Sequence, residues 1–239
     1  MAKLRRFDPY AARKFLERNL SKVPTGAELS RSREAVGERL FKAPKEVQRK
    51  LWNEASSLYV TDIKLQRLSI KMLTEFFRNV KLMPESKVLF LGSGPAIEEA
   101  FVASRFPRAK CTFVDFSEEM HKLAKNTIKN ENLKNVGLVL GDTERLPIKQ
   151  KQDFVCAFGL TLHHLLKFPG MITEARGIIS TAPHARFVME LQFFNEDFPK
   201  FTDLIKKGGF EIEKKIPCSE IGPGYNRQLI VAKPIQIKL

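Results

Sequence analysis

From residue 85 onward the chain alternates short apolar runs with stretches of helical periodicity, and this alternation constrains the fold more than any other feature. Apolar runs at 87–91, 111–115, 136–140, 153–158 and 186–192 have strand length and composition. Helical patterns follow at about 96–105, 117–130, from about 160, and at 197–207. Two last runs, 210–216 and 228–232, form a terminal pair joined by the loop around Gly222-Pro223-Gly224-Tyr225. Strands alternating with helices predict an open, mostly parallel sheet of seven strands with flanking helices. Ligands are expected at the carboxyl ends of its strands.

The first third reads differently. Residues 8–81 show no strand-like alternation. Asp8 and Pro9 suit the start of a helix over DPYAARKFLERNL, and a second helix fits residues 32–42. Residues 44–80 carry Val47, Leu51, Leu58, Leu65, Leu68, Leu73 and Phe77 at helical spacing, with a break expected around Tyr59-Val60-Thr61-Asp62. The division expected is a helical extension over 1–82, serving as a lid, and a second domain over 83–239.

Charge is concentrated in that extension. The 239-residue chain has 41 Lys and Arg against 27 Asp and Glu, a net of +14. Residues 1–50 hold 14 basic and 6 acidic side chains, a net of +8. A one-sided positive excess suits a polyanion, because each neutralised phosphate releases condensed counterions. No stretch approaches the roughly 20 apolar residues that span a bilayer, and the first residues lack the apolar run of a secretory signal. Cys111, Cys156 and Cys218 form no C-x-x-C pair, which argues against a structural metal and for a reducing compartment. The expectation is a soluble cytoplasmic protein with no metal and no membrane partner.

The turn after the first strand reads Val88-Leu89-Phe90-Leu91-Gly92-Ser93-Gly94-Pro95-Ala96. Gly92 and Gly94 allow a tight turn and close approach of the backbone to a ligand. A dinucleotide fingerprint needs a third glycine where Ile97 stands, which disfavours a nicotinamide or flavin. Asp115, at the end of the second strand, lies 21 residues after Gly94, the spacing at which a carboxylate accepts from ribose hydroxyls.

Four segments together carry a resemblance. Val88–Ala96, Val114–Met120, Gly141-Asp142-Thr143-Glu144-Arg145-Leu146-Pro147 and Phe158-Gly159-Leu160-Thr161-Leu162-His163-His164-Leu165 resemble successive motifs of class I S-adenosylmethionine-dependent methyltransferases. The group that includes the quinone-biosynthesis enzymes is the nearest in pattern. The resemblance covers about residues 85–235 and implies a Rossmann-like sheet and S-adenosyl-L-methionine as cofactor. It implies that Gly92, Ser93 and Gly94 cradle the methionine end and that Asp115 holds the ribose. Phe116 would pack on the adenine, and Asp142, with Thr143 beside it, would accept from the adenine amine. Phe158 and Gly159 would sit beside the sulfonium and the incoming nucleophile. The chain departs from the pattern at Phe90, where the family usually has an acid that helps orient the methionine amino group.

Substrate chemistry is narrowed by what the fourth-strand segment holds. Carbon methylation of a pyrimidine normally uses a cysteine beside a proline there, and Phe158-Gly159-Leu160-Thr161 offers neither. A base nitrogen needs only orientation and a proton acceptor, a role open to His163 or His164. Adjacent helical residues point about 100° apart, so one of the two at most faces a substrate. Cys156 reads as a small buried hydrophobe. Phe193, Phe194 and Tyr225 suit either stacking on a flat substrate or packing. RNA methylation, on ribosomal or transfer RNA docked by the basic helices, is the leading expectation. A small-molecule methyltransferase and an aminocarboxypropyl transferase are the alternatives.

Overall fold

The computed structural model describes residues 44–59, 63–167, 169–222 and 225–236. The helices expected over residues 8–42 lie outside the described residues. Helix α1 spans Lys45–Tyr59 and α2 spans Ile63–Asn79. The chain then runs β1 (Lys87–Leu91), α3 (Ile97–Arg105), β2 (Lys110–Asp115), α4 (Glu118–Asn130) and β3 (Val136–Leu140). It continues through β4 (Phe154–Thr161), α5 (Leu162–Lys167), α6 (Gly170–Ile178), β5 (Arg186–Phe194), α7 (Phe198–Lys207), β6 (Phe210–Gly222) and β7 (Tyr225–Pro234).

The seven strands form one sheet in the order β3-β2-β1-β4-β5-β7-β6. β1 to β5 are parallel, and β7 pairs antiparallel with both β5 and β6. The order reverses between β1 and β4, which opens a crevice at their carboxyl ends. β1 is apolar along its whole buried length because helices cover both faces. Alternation along it still decides which face each residue serves. Phe90 points to the side of Ile97 and Phe101, while Leu89 and Leu91 join Met171, Ile172 and Phe201 on the other.

Helix α2 is part of this core. Met72, Leu73 and Phe76 are fully buried in the same cluster as Phe90 and Phe113. Edge-to-face aromatic pairs link Phe113 to Phe90, Phe90 to Phe158 and Phe158 to Phe76, with centroids 5.3, 5.7 and 5.5 Å apart. Ser117 caps α4, its Oγ accepting from the Met120 N–H at 3.2 Å.

The sheet departs from expectation at its far side. β4 runs three residues past Phe158, and β5 continues through Phe193 and Phe194. Phe193 is buried, its ring 4.9 Å from Phe198, so it packs the core and offers no stacking face. β6 and β7 extend to Gly222 and from Tyr225 because pairing across the hairpin outweighs the weak local apolar pattern there. The helical pattern expected from about residue 160 is divided into α5 and α6, and α6 starts at Gly170 directly after Pro169.

Candidate cofactor site

The glycine turn after β1 takes the backbone through the left-handed region at Gly92 (φ 63°) and Gly94 (φ 51°). A side chain would be strained at both positions. Gly92 is exposed, and a Cβ built there would meet nothing within 4 Å, so the turn is open on its outer side. Ser93 is turned inward, its N–H donating to the Val114 carbonyl at 3.0 Å.

Asp115 holds this turn in place. Its Oδ2 accepts from the Gly94 N–H and its Oδ1 from the Ser117 N–H, both at 2.8 Å. Burial pushes its carboxyl above the usual range, against the N–H groups of Ser117, Gly94 and Phe116, which favour the charged form. The carboxylate therefore has a structural task as well as the ribose contact expected of it. Each oxygen keeps a second lone pair for such a contact.

One stripe of α1 lies along the sequence-predicted adenosine positions. Lys45, Arg49 and Asn53 follow each other at intervals of four and so share a face. Lys45 Nζ is 2.5 Å from Asp142 Oδ2 and 2.5 Å from Glu144 Oε2. The Arg49 guanidinium sits 5.9 Å from the centroid of the Phe116 ring. Asn53 Oδ1 accepts from the Ser117 hydroxyl at 2.6 Å. Partial burial works to raise the Asp142 pKa, but hydrogen bonds from Lys45 and the Glu144 N–H, with the Lys45 charge, bring it below the usual range. Asp142 also accepts from the Glu144 N–H at 2.9 Å, and Thr143 stands half-buried between them. The i, i+4, i+8 spacing of Lys45, Arg49 and Asn53 is the sequence signal that they share one partner surface.

At the end of β4 the phenyl ring of Phe158 enters the aromatic core, so its contribution to a site is its backbone. Gly159 follows with φ 70°, at an irregularity in the β4–β5 register between Ala157 and Leu160. Its N–H donates to Glu190 Oε2 at 2.6 Å. Glu190 is fully buried on β5 and paired with Arg227 of β7. These two residues were missed in the sequence, although an acid inside the apolar run Phe187-Val188-Met189-Glu190-Leu191 was a visible signal. His163 and His164 both lie on α5. Cys156 is fully buried; burial first, then Cys111 and Glu99, push its thiol well up, which leaves it an inert core residue.

Residues 88–181 match the family model described as a methyltransferase domain. Over that segment, less than half of the chain, the sequence is similar to methyltransferase domains. A malonyl-[acyl-carrier protein] O-methyltransferase of Bacillus anthracis is 28% identical over 112 residues, 46% of this chain. The aligned part spans 40% of that relative's length. An S-adenosylmethionine-dependent methyltransferase from Clostridium acetobutylicum superposes with a TM-score of 0.58 at 14% identity, covering 80% of this chain and all of its own. TYW2 from M. jannaschii, solved in complex with AdoMet, gives a TM-score of 0.55 at 15% identity over 71% of this chain and 77% of its own. S-adenosylmethionine is the cofactor to which these similarities point. The residues present fit it: an open glycine turn, aligned carboxylates at the ends of β2 and after β3, and the buried carboxylate of Glu99.

Proposed function

We propose that the acceptor of this methyltransferase is RNA, ribosomal or transfer RNA, and that the methyl group goes to a base nitrogen. Bound S-adenosylmethionine supplies a methyl group on a sulfonium, already a good leaving group. The chain's own work is to align the nucleophile and exclude water. In this reading Gly92, Ser93 and Gly94 receive the methionine arm, Asp115 the ribose, and Phe116, Asp142 and Thr143 the adenine. The backbone at Phe158 and Gly159 lines the approach of the nucleophile, and His163 or His164 accepts its proton.

One observation carries the choice of RNA. More than half of the net charge, +8 of +14, falls in residues 1–50, and that segment leads directly into the helix lying along Asp142 and Phe116. An electrostatic docking surface next to a cofactor mouth suits a phosphate backbone. Cys156, buried in β4, supplies no nucleophile for carbon methylation, which leaves nitrogen as the simplest acceptor.

A second reading draws on the curated relatives, whose acceptor is an acid on a carrier protein. A carboxylate is ionised at neutral pH and needs no base to act as nucleophile. Transfer of label from methyl-tritiated S-adenosylmethionine into an extract lacking this protein separates the two. Counts lost to RNase support RNA; counts that resist RNase and follow protein or organic extract support the other. Product mass distinguishes a methyl from the heavier aminocarboxypropyl arm. Reversal of Arg5, Arg6, Arg13 and Lys14 to Glu is expected to abolish RNA binding and leave cofactor binding intact.

A further inference from the structure

Glu99 sits on the third residue of α3, one turn beyond the glycine loop, and is 4% exposed. It faces inward with Ile97, Ala100 and Phe101. Its Oε2 is buried and has no hydrogen-bond partner among the described residues. An acid at a helix amino terminus is favoured by the helix dipole, but that attraction operates without full burial, as at the neighbouring half-buried Glu98. It does not explain why one oxygen of a carboxylate should be buried without a donor.

Its surroundings indicate where it stands. Burial is the main cause that pushes the Glu99 carboxyl well up, followed by the charge of Glu98 on its own helix; Asp115 on β2 adds to it. Glu99 in turn acts on the Cys156 thiol of β4. β1 lies between β2 and β4, so the carboxylate stands over the end of β1, beneath the glycine turn. The β1 side chain facing the same layer is Phe90, committed to the edge-to-face chain with Phe113 and Phe158. Phe90 thus fills its place on β1 by packing, and Glu99 brings a buried carboxylate to that layer from the helix.

We propose that Glu99 receives the ammonium group of the methionine arm of S-adenosylmethionine. The cofactor brings three kinds of donor: an adenine amine, ribose hydroxyls and the ammonium. Asp142 and Asp115 stand on the β2–β3 side, towards the adenosine, whereas Glu99 lies over β1 towards Cys156 of β4. The ammonium is the one cationic donor, and a buried carboxylate is best satisfied by a cation. Phe90 and Glu99 thereby exchange the roles of acid and packing residue between strand and helix.

The inference rests on the cofactor placement given above, and two ligands separate the two. S-adenosylhomocysteine keeps the ammonium arm; 5′-methylthioadenosine lacks it. In titration calorimetry, Glu99→Gln should weaken S-adenosylhomocysteine roughly ten- to a hundredfold and leave 5′-methylthioadenosine within about twofold. Glu99→Asp, which keeps the charge on a shorter stem, should recover part of the loss. The melting temperature of the ligand-free Glu99→Gln protein should equal or exceed that of the wild type, because an unsatisfied buried charge has been removed. Equal loss for both ligands, or no loss for either, would overturn the proposal. Wild-type protein that binds neither ligand would overturn the cofactor placement itself, and the role of Glu99 with it.

Discussion

Lys45, the first residue of α1, bridges Asp142 and Glu144 across 97 residues of sequence, its ammonium 2.5 Å from an oxygen of each carboxylate. Asp142 is the group proposed to accept from the adenine amine, so the lysine and the adenine address the same carboxylate. The front helix therefore touches the proposed adenine acceptor directly.

Replacing Lys45 by Met should tighten S-adenosylhomocysteine binding about two- to fivefold at low salt, because a partly exposed ion pair contributes about 0.5–1 kcal/mol. The gain should shrink as salt screens the wild-type contact. Calorimetry at two ionic strengths checks it; weaker binding by the variant would show that Lys45 assists the cofactor instead of competing with it.

Asp115→Ala removes the acceptor for both the Gly94 and Ser117 N–H groups. A loss of about 2–4 kcal/mol in unfolding free energy is expected, from two bonds to a charged group. Cofactor affinity should fall at least about tenfold together with it. Chemical denaturation and calorimetry on the same preparation report the two effects. Affinity lost at unchanged stability would mean that the carboxylate serves the ligand and does not brace the turn.

The buried pair Glu190–Arg227 makes a sharper test. Arg227→Met leaves a buried carboxylate without its cation and should destabilise the fold by about 3–5 kcal/mol. The double variant Glu190→Leu with Arg227→Met removes both charges and should recover most of that stability. Methyl transfer by the double variant should remain reduced, roughly tenfold, since the Gly159 N–H has lost its acceptor. Full recovery of activity with stability would show that Glu190 has no part in positioning Gly159.

The local chemistry of the domain was legible in its sequence. Apolar runs located β1 to β3 within a residue, because the central strands β1 and β2 are buried on both faces and β3 at the edge carries an apolar run as well. Gly92 and Gly94 marked a turn that needs left-handed backbone, which few other residues adopt. Spacing within a βαβ unit was enough to place Asp115 at a strand end on one edge of the sheet, whereas Asp142 was singled out by the resemblance alone. The sequence run ends the fifth strand at Gln192, and the break between α5 and α6 has no clear local signal; pairing and packing from distant residues decide both.

What the tertiary structure alone decided are the contacts between charged groups far apart in the chain. Lys45 with Asp142, Glu190 with Arg227 and the orphaned oxygen of Glu99 have no local signature that names their partners. A sequence period reports which face of a helix or strand is buried, since burial follows the 3.6- or 2-residue repeat. Which charge meets which depends on how those faces are brought together. That is set by the summed packing of both cores, and it is there that a lysine in a basic helix became a bridge to the cofactor motif.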